Sequence, residues 1–135
     1  MPLVTLTLRP GHDAAFKTAV FDAVHRALVA AGVPETDRFQ RVLELGPDDF
    51  RYDSSYPDLA SPRGPAFVLI EILLSAGRSV NVKRRIVAAA LERLKASPGL
   101  DPEHVMVAFV ETTWESWSFG GGRFPHADEG PSTKR

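Results

Sequence analysis

The chain has 135 residues, 16 Lys and Arg against 17 Asp and Glu, a formal net charge of −1 and no cysteine. That length supports one domain with a core of its own, the near-neutral charge offers no electrostatic footprint for nucleic acid or a membrane surface, and the missing thiols remove disulfides, thiolate catalysis and Cys-ligated zinc. No apolar run approaches the ~18 residues of a membrane span, and no signal-peptide pattern opens the chain, so a cytoplasmic protein without nucleic-acid or membrane partners is expected.

Pro2 follows the initiator Met. Aminopeptidases commonly trim a Met that precedes proline, which would leave Pro2 as a free secondary amine. A free α-amino group titrates near pH ~8, and burial or a neighbouring cation lowers that value. Residues 3–8 alternate, with Val4, Leu6 and Leu8 on one face, and read as a strand ended by Pro10-Gly11. Residues 13–31 carry Phe16, Val20, Ala23, Val24, Ala27 and Leu28 at helical spacing, and Gly32 stops the helix. Residues 38–45 form a second strand. Residues 46–65, rich in Gly, Pro, Asp and Ser, read as a long loop with a short extended piece at 50–52. A third strand spans 66–74, and a second helix spans 79–96 with Ser79 as its N-cap. A fourth strand spans 104–111. An aromatic, Gly-rich segment runs from Trp114 to Phe124, and 125–135 read as a polar, disordered tail.

A shift of 66 positions carries Leu3 onto Leu69, Gly11 onto Gly77 and Lys17 onto Lys83. The chain therefore reads as two β-α-β units in tandem, each with parallel strands joined by a helical crossover. The expected fold class is α+β: β-α-β-β-α-β, with a four-stranded mixed sheet and two helices on one face. A pseudo-twofold axis makes the first and third strands antiparallel neighbours, which sets Pro2 beside the turn Ala76-Gly77-Arg78. The third strand is apolar on both faces, with Val68, Ile70, Ile72 and Leu74 on one and Phe67, Leu69 and Leu73 on the other. Two helices cover only one face, so the second needs another cover. That cover is either another subunit, giving a closed homo-oligomer, or the long loop.

Met-Pro-Leu at the start, the doubled β-α-β, Asp37-Arg38-Phe39-Gln40, Gly77-Arg78-Ser79 with Lys83, and Trp117-Ser118-Phe119-Gly120-Gly121-Gly122 together resemble the tautomerase superfamily, in particular its malonate semialdehyde decarboxylase-like branch. The resemblance covers residues 2 to about 124, and it implies a homotrimer, a catalytic amino-terminal proline at the base of a pocket, a small carboxylate substrate and no cofactor. Carried over residue by residue, it implies that Pro2 is the catalytic base or acid. Arg78 binds the substrate carboxylate, and Asp37 assists by positioning water. Trp117, Phe119 and Phe124 line the pocket, and His25 falls in the helix where some dehalogenase relatives keep a functional histidine. One departure stands out. The decarboxylases have a second arginine where this chain has Ala76, which weakens decarboxylation, hydration and dehalogenation relative to simple proton transfer.

Each of these residues also has a structural reading. Arg78 is a surface cation near a helix start, where the dipole gives it nothing. Asp37 is a strand-entry residue, Trp117 and Phe119 are core or interface aromatics, and His25 is a satisfied flank histidine. Gly120-Gly121-Gly122 has no following Lys-Ser/Thr and is not a phosphate loop. His12, His104 and His126 lack metal-ligand spacing. Two functions are compatible with the pattern: a cofactor-free enzyme using Pro2 on a 2-oxo acid or enol carboxylate, and a non-catalytic binding module of the same fold. Intact mass separates them. The enzyme reading requires a native protein lighter than the full chain by one methionine residue, and retention of Met1 blocks the amine and removes that reading.

Overall fold

The computed structural model describes residues 2–128. Strands β1 (Leu3–Leu8), β2 (Phe39–Glu44), β3 (Val68–Ser75) and β4 (Val105–Thr112) form one sheet in the order β2-β1-β3-β4. β1 is parallel to β2 and β3 is parallel to β4, while β1 and β3 are antiparallel, from Leu3–Leu73 to Leu8–Val68. Helices α1 (Ala14–Ala30) and α2 (Val80–Ala96) pack on each other and on one face of the sheet.

The internal repeat governs these elements in detail. Asp13 caps α1 by accepting from the Phe16 N–H at 2.8 Å, and Ser79 caps α2 by accepting from the Val82 N–H at 3.2 Å. Buried Val20, Val24 and Leu28 of α1 correspond to buried Ile86, Ala90 and Leu94 of α2, the i, i+4, i+8 row that puts one helical stripe on the sheet. Against them lie Val4, Leu6, Leu8, Val68, Ile70, Ile72 and Leu74. Each fully buried large aliphatic among these contributes about 1.5–3 kcal/mol. Both helices end on a glycine of positive φ, Gly32 and Gly99. The chain then turns so that the N–H groups of Val33 and Leu100 bond back to the Leu28 and Leu94 carbonyls. Lys17 pairs with Glu44 at the end of β2, and Lys83 pairs with Glu111 of β4 at 3.0 Å. The same ion pair therefore closes each unit.

Where structure and expectation differ, the reason is local. Residues 50–52 are not a strand. The Phe50 carbonyl accepts from Arg9 Nη2 at 2.9 Å and the Tyr52 ring packs at a tilt against Phe67 at 4.5 Å, so this stretch is fixed by side chains rather than by a ladder. β3 starts two residues later than expected, because the Phe67 N–H is engaged in a turn to the Gly64 carbonyl, and it runs on to Ser75. Pro125–Asp128, assigned by composition to the tail, form a helical turn with His126 edge-on to Trp114 at 5.1 Å. Residues 129–135, the rest of the expected tail, lie outside the described residues, as does Met1.

The second face of the sheet is covered unevenly. Loop 46–65 folds over the Phe67 end, where Phe50, Tyr52 and Phe67 cluster, Arg9 lies over Tyr52 at 4.7 Å and Arg63 lies over Phe67 at 5.2 Å. The loop is then tied to the start of β4. The Ala60 N–H donates to Glu103 at 2.6 Å, and His104 Nε2 donates to the Pro62 carbonyl at 3.0 Å. The loop does not close that face: Leu43 and Met106, level with Leu69 beside the cluster, and Phe39 and Val110, level with Leu73 at the far end, are each more than two-fifths exposed.

Acid should loosen this loop first. The Asp53 carboxyl is held below the usual aspartate range by the backbone N–H groups of Ser55 and Tyr56, and that of Asp101 by the Glu103 N–H. Groups with depressed folded pKa values contribute fully above the ordinary aspartate value (~3.9) and lose that contribution as pH falls through the folded value. Amide exchange across residues 53–63 should therefore accelerate relative to the central strands between pH 6 and pH 3, after correction for intrinsic rates. A constant ratio would contradict the coupling.

Candidate active site

Because β1 and β2 run opposite to β3 and β4, the starts of the first pair and the ends of the second share one edge of the sheet. Five of the residues singled out in the sequence lie there. Pro2 is buried and immediately precedes β1. Continuing the β1–β3 register beyond Leu3–Leu73 brings Pro2 to Leu74. Asp37 is half-buried two residues before Phe39, the partner of Leu3, and its N–H closes a turn onto the Pro34 carbonyl at 3.0 Å.

Arg78 follows β3 across a tight turn. The Ala76 N–H extends the β3–β4 pairing by bonding to the Thr112 carbonyl at 2.8 Å, and the chain then reverses at Gly77 with φ of +118°, a conformation that a side chain strains. α2 begins directly afterwards, so Arg78 has no room to run into solvent along a strand. Its Nη1 folds back and donates to the Ser75 carbonyl at 3.1 Å, leaving the guanidinium half-buried at the strand end. Arg78 is thus more than a loose surface charge. The remaining guanidinium N–H groups keep the fork that suits a carboxylate.

The segment after β4 supplies an aromatic wall. Trp114 Nε1 donates to the Ala76 carbonyl at 2.7 Å, and Trp117 Nε1 donates to Thr112 Oγ1 at 2.5 Å. These bonds pin the segment to the ends of β3 and β4. Trp117 stacks on Phe119 at 5.8 Å, and Phe119 stacks on Phe39 at 6.1 Å, which makes a continuous row of rings. Phe124 stands outside this row and is 43% exposed. Sequence reasoning missed Trp114, which anchors the wall, and Phe39, which extends it. Phe39 had a legible signal, as an aromatic two residues after Asp37 on the face opposite the helices.

His25 belongs elsewhere. It is 4% exposed on α1, and its Nε2 donates to the Glu35 carbonyl at 2.8 Å. It lines a cavity of about 300 Å³ with Arg26, Glu35, Arg38 and Arg93, on the helical side of the molecule. In this structure the His25 ring nitrogen satisfies a carbonyl just beyond the end of α1, which is a structural role. Among the described residues, no three His, Asp or Glu side chains are placed to hold a metal ion, and no helix is long and apolar enough to cross a membrane.

The doubled β-α-β sheet is that of a tautomerase-type enzyme, and here it carries a buried proline leading into β1, an arginine folded back on the end of β3 and an aromatic row running from the end of β4 to Phe39 of β2. A family model described as "Tautomerase enzyme" matches residues 37–120, and the chain belongs to the tautomerase family. Among solved structures it is similar to a malonate semialdehyde decarboxylase solved in wild-type, mutant and inactivated forms, with 32% identity, a TM-score of 0.83 and coverage of 94% of this chain and 98% of that one. A second malonate semialdehyde decarboxylase, FG41, inhibited by 3-bromopropiolate, matches with the same identity and TM-score over 93% of this chain and 94% of that one. A fused 4-OT forming a symmetric trimer is 26% identical, with a TM-score of 0.64, over 90% of this chain and 94% of that one. No curated protein sequence matches the chain.

The Trp114 bond predicts a measurable anchor. Trp114→Phe keeps the ring but leaves the Ala76 carbonyl without its donor, which should cost about 1 kcal/mol in denaturant unfolding. An unchanged midpoint would show that the bond contributes nothing to holding the wall.

Proposed function

We propose that the protein, after loss of Met1, is a cofactor-free enzyme in which the Pro2 nitrogen moves a proton on a small 2-oxo acid or its enol. The observation that carries this reading is the β1–β3 register, which sets Pro2 against the strand end to which Arg78 is tied. The relatives support it, since one solved form of the 32%-identical decarboxylase replaces an amino-terminal proline by alanine.

The chemistry follows from the groups at this edge. Arg78 pairs with the substrate carboxylate through its fork and fixes its orientation. The same cation and the burial of Pro2 favour the neutral amine. Neutral Pro2 takes the proton of the enol hydroxyl and returns it to the adjacent carbon, giving the 2-oxo acid with no net change in atoms. Asp37, at the start of β2, positions water or the substrate hydroxyl. Trp117, Phe119 and Phe39 keep bulk water off the site, which strengthens these charge interactions, and Phe124 closes its outer rim. With Ala76 in place of a second cation, proton transfer is favoured over decarboxylation or hydration, reactions that figure in the relative's description. His25 takes no part.

The open face of the sheet fits a homotrimer. Phe39, Leu43, Met106 and Val110 form an apolar surface that a neighbouring subunit would cover, and the fused 4-OT relative assembles as a trimer. Phe39 belongs both to that surface and to the aromatic row, so assembly would also complete the pocket.

Ketonisation of phenylenolpyruvate tests the reading. Pro2→Ala should lower kcat by about 10²-fold or more, and Arg78→Ala should lower kcat/KM about 10- to 100-fold, both with the trimer mass retained. Activity unaffected by Pro2→Ala sinks the proposal.

A further inference from the structure

Ser75 ends β3 at this same edge, and it is fully buried with a relative exposure of 0%. Its Oγ has no hydrogen-bond partner among the described residues. A buried hydroxyl without a partner costs about 1–3 kcal/mol and calls for an explanation. The nearby groups do not supply one. Ser75 pairs with Thr112 across the parallel ladder, yet the Thr112 hydroxyl is turned to Trp117, accepting from its Nε1, and makes no bond to Ser75 Oγ. The Ser75 carbonyl is taken by Arg78 Nη1.

The register supplies the missing partner. Ser75 shares with Leu73 the face away from the helices and lies one residue beyond Leu74, which the pairing sets against Pro2. The backbone nitrogen of Pro2 lies on the side of that residue away from Leu3, so it faces the Leu74–Ser75 end of β3. In a chain that begins at Pro2 this nitrogen is an amine carrying a lone pair that no peptide bond engages.

We propose that Ser75 is a positioning residue whose hydroxyl donates a hydrogen bond to the neutral Pro2 amine, while its carbonyl holds Arg78 beside the same atom. This inference rests on the reading of Pro2 as the reacting group. One residue would then orient both the proton carrier and the cation that binds the substrate. A donor on the lone pair stabilises the unprotonated amine and lowers its pKa. Other charged or titratable groups at this edge are Arg78 after β3, Asp37 and Arg38 before β2, Lys83 with Glu111 across α2 and β4, and Glu115 and His126 in the segment after β4. Ser75→Ala keeps the backbone carbonyl that Arg78 engages.

The test is a titration of the Pro2 nitrogen by ¹⁵N NMR in the native protein, alongside the pH profile of kcat/KM for phenylenolpyruvate. Ser75→Ala should raise the Pro2 pKa by up to about one unit, since one hydrogen bond is worth ~0.5–1.5 kcal/mol. The acid limb of kcat/KM, along which Pro2 loses its proton, should move to higher pH by the same amount, and Ser75→Thr, which keeps the hydroxyl, should restore both. A purely structural hydroxyl would change stability and leave the Pro2 titration in place. If Pro2→Ala abolishes activity and Ser75→Ala leaves the pKa unchanged or lowers it, the Ser75 inference falls while the Pro2 reading stands. If Met1 is retained, or Pro2→Ala is fully active, both fall.

Discussion

The pairs from Leu3–Leu73 to Leu8–Val68 join two β-α-β units that have no other strand contact with each other, and the rest of the molecule follows from that seam. Combined with the 66-residue repeat, the register sets Thr5 opposite Glu71, its own counterpart in the second unit, so the pseudo-twofold axis passes through this pair. An axis there places both helices on one face. Val20, Val24 and Leu28 then meet Ile86, Ala90 and Leu94 over the same central strands. It also brings the start of β1 level with the end of β3. A register slip of one residue would turn Val4, Leu6 and Leu8 to the wrong face, so core burial itself fixes where Pro2 lies. The position of the candidate site is therefore held by the most heavily buried part of the protein.

That edge departs from the symmetry that builds the sheet. The repeat that equates Lys17–Glu44 with Lys83–Glu111 and Gly11 with Gly77 has no counterpart for the aromatic segment. Trp114 and Trp117 reach back to Ala76 and Thr112, at the ends of β3 and β4. The opposite end of the second face is occupied by loop 46–65 and its Phe50–Tyr52–Phe67 cluster. Two different insertions thus treat the two ends of one apolar face differently. The loop is tied to Arg9, Phe67 and the start of β4, so it packs over Phe67 and leaves Leu43 and Met106 in the adjoining row, and Phe39 and Val110 at the Pro2 end, exposed. The loop is thus a partial cover only.

Much of this was legible from periodicity. β1 falls at its expected residues, and both helices fall within one residue of theirs at each end, because a two-residue and a 3.6-residue apolar period are strong local signals. The Ser79 cap and the Gly32 stop marked two of the ends, while Asp13, read as the first helical residue, proved to be the cap of α1. The extended piece at 50–52 failed, because its conformation is set by Arg9 and Phe67, far away in sequence. Arg78 lies at the edge where the pseudo-symmetry sets Pro2, and Asp37, Trp117 and Phe119, which the symmetry does not position, lie there too. His25 lies on the helical side, bonded to the Glu35 carbonyl, and spacing alone cannot tell a histidine that satisfies a backbone carbonyl from one that serves a pocket.

By itself, the sequence determined the two β-α-β units, their repeat and the edge at which Pro2 and Arg78 meet, because hydrophobic period and turn chemistry are properties of neighbouring residues. Only the tertiary structure decided that Arg78 folds back on the Ser75 carbonyl, that Trp114 bonds Ala76, that Phe39 extends the aromatic row and that the Ser75 hydroxyl is left buried without a partner. Those are contacts between residues separated along the chain or side-chain directions at a turn, and they are fixed by how the packed strands end.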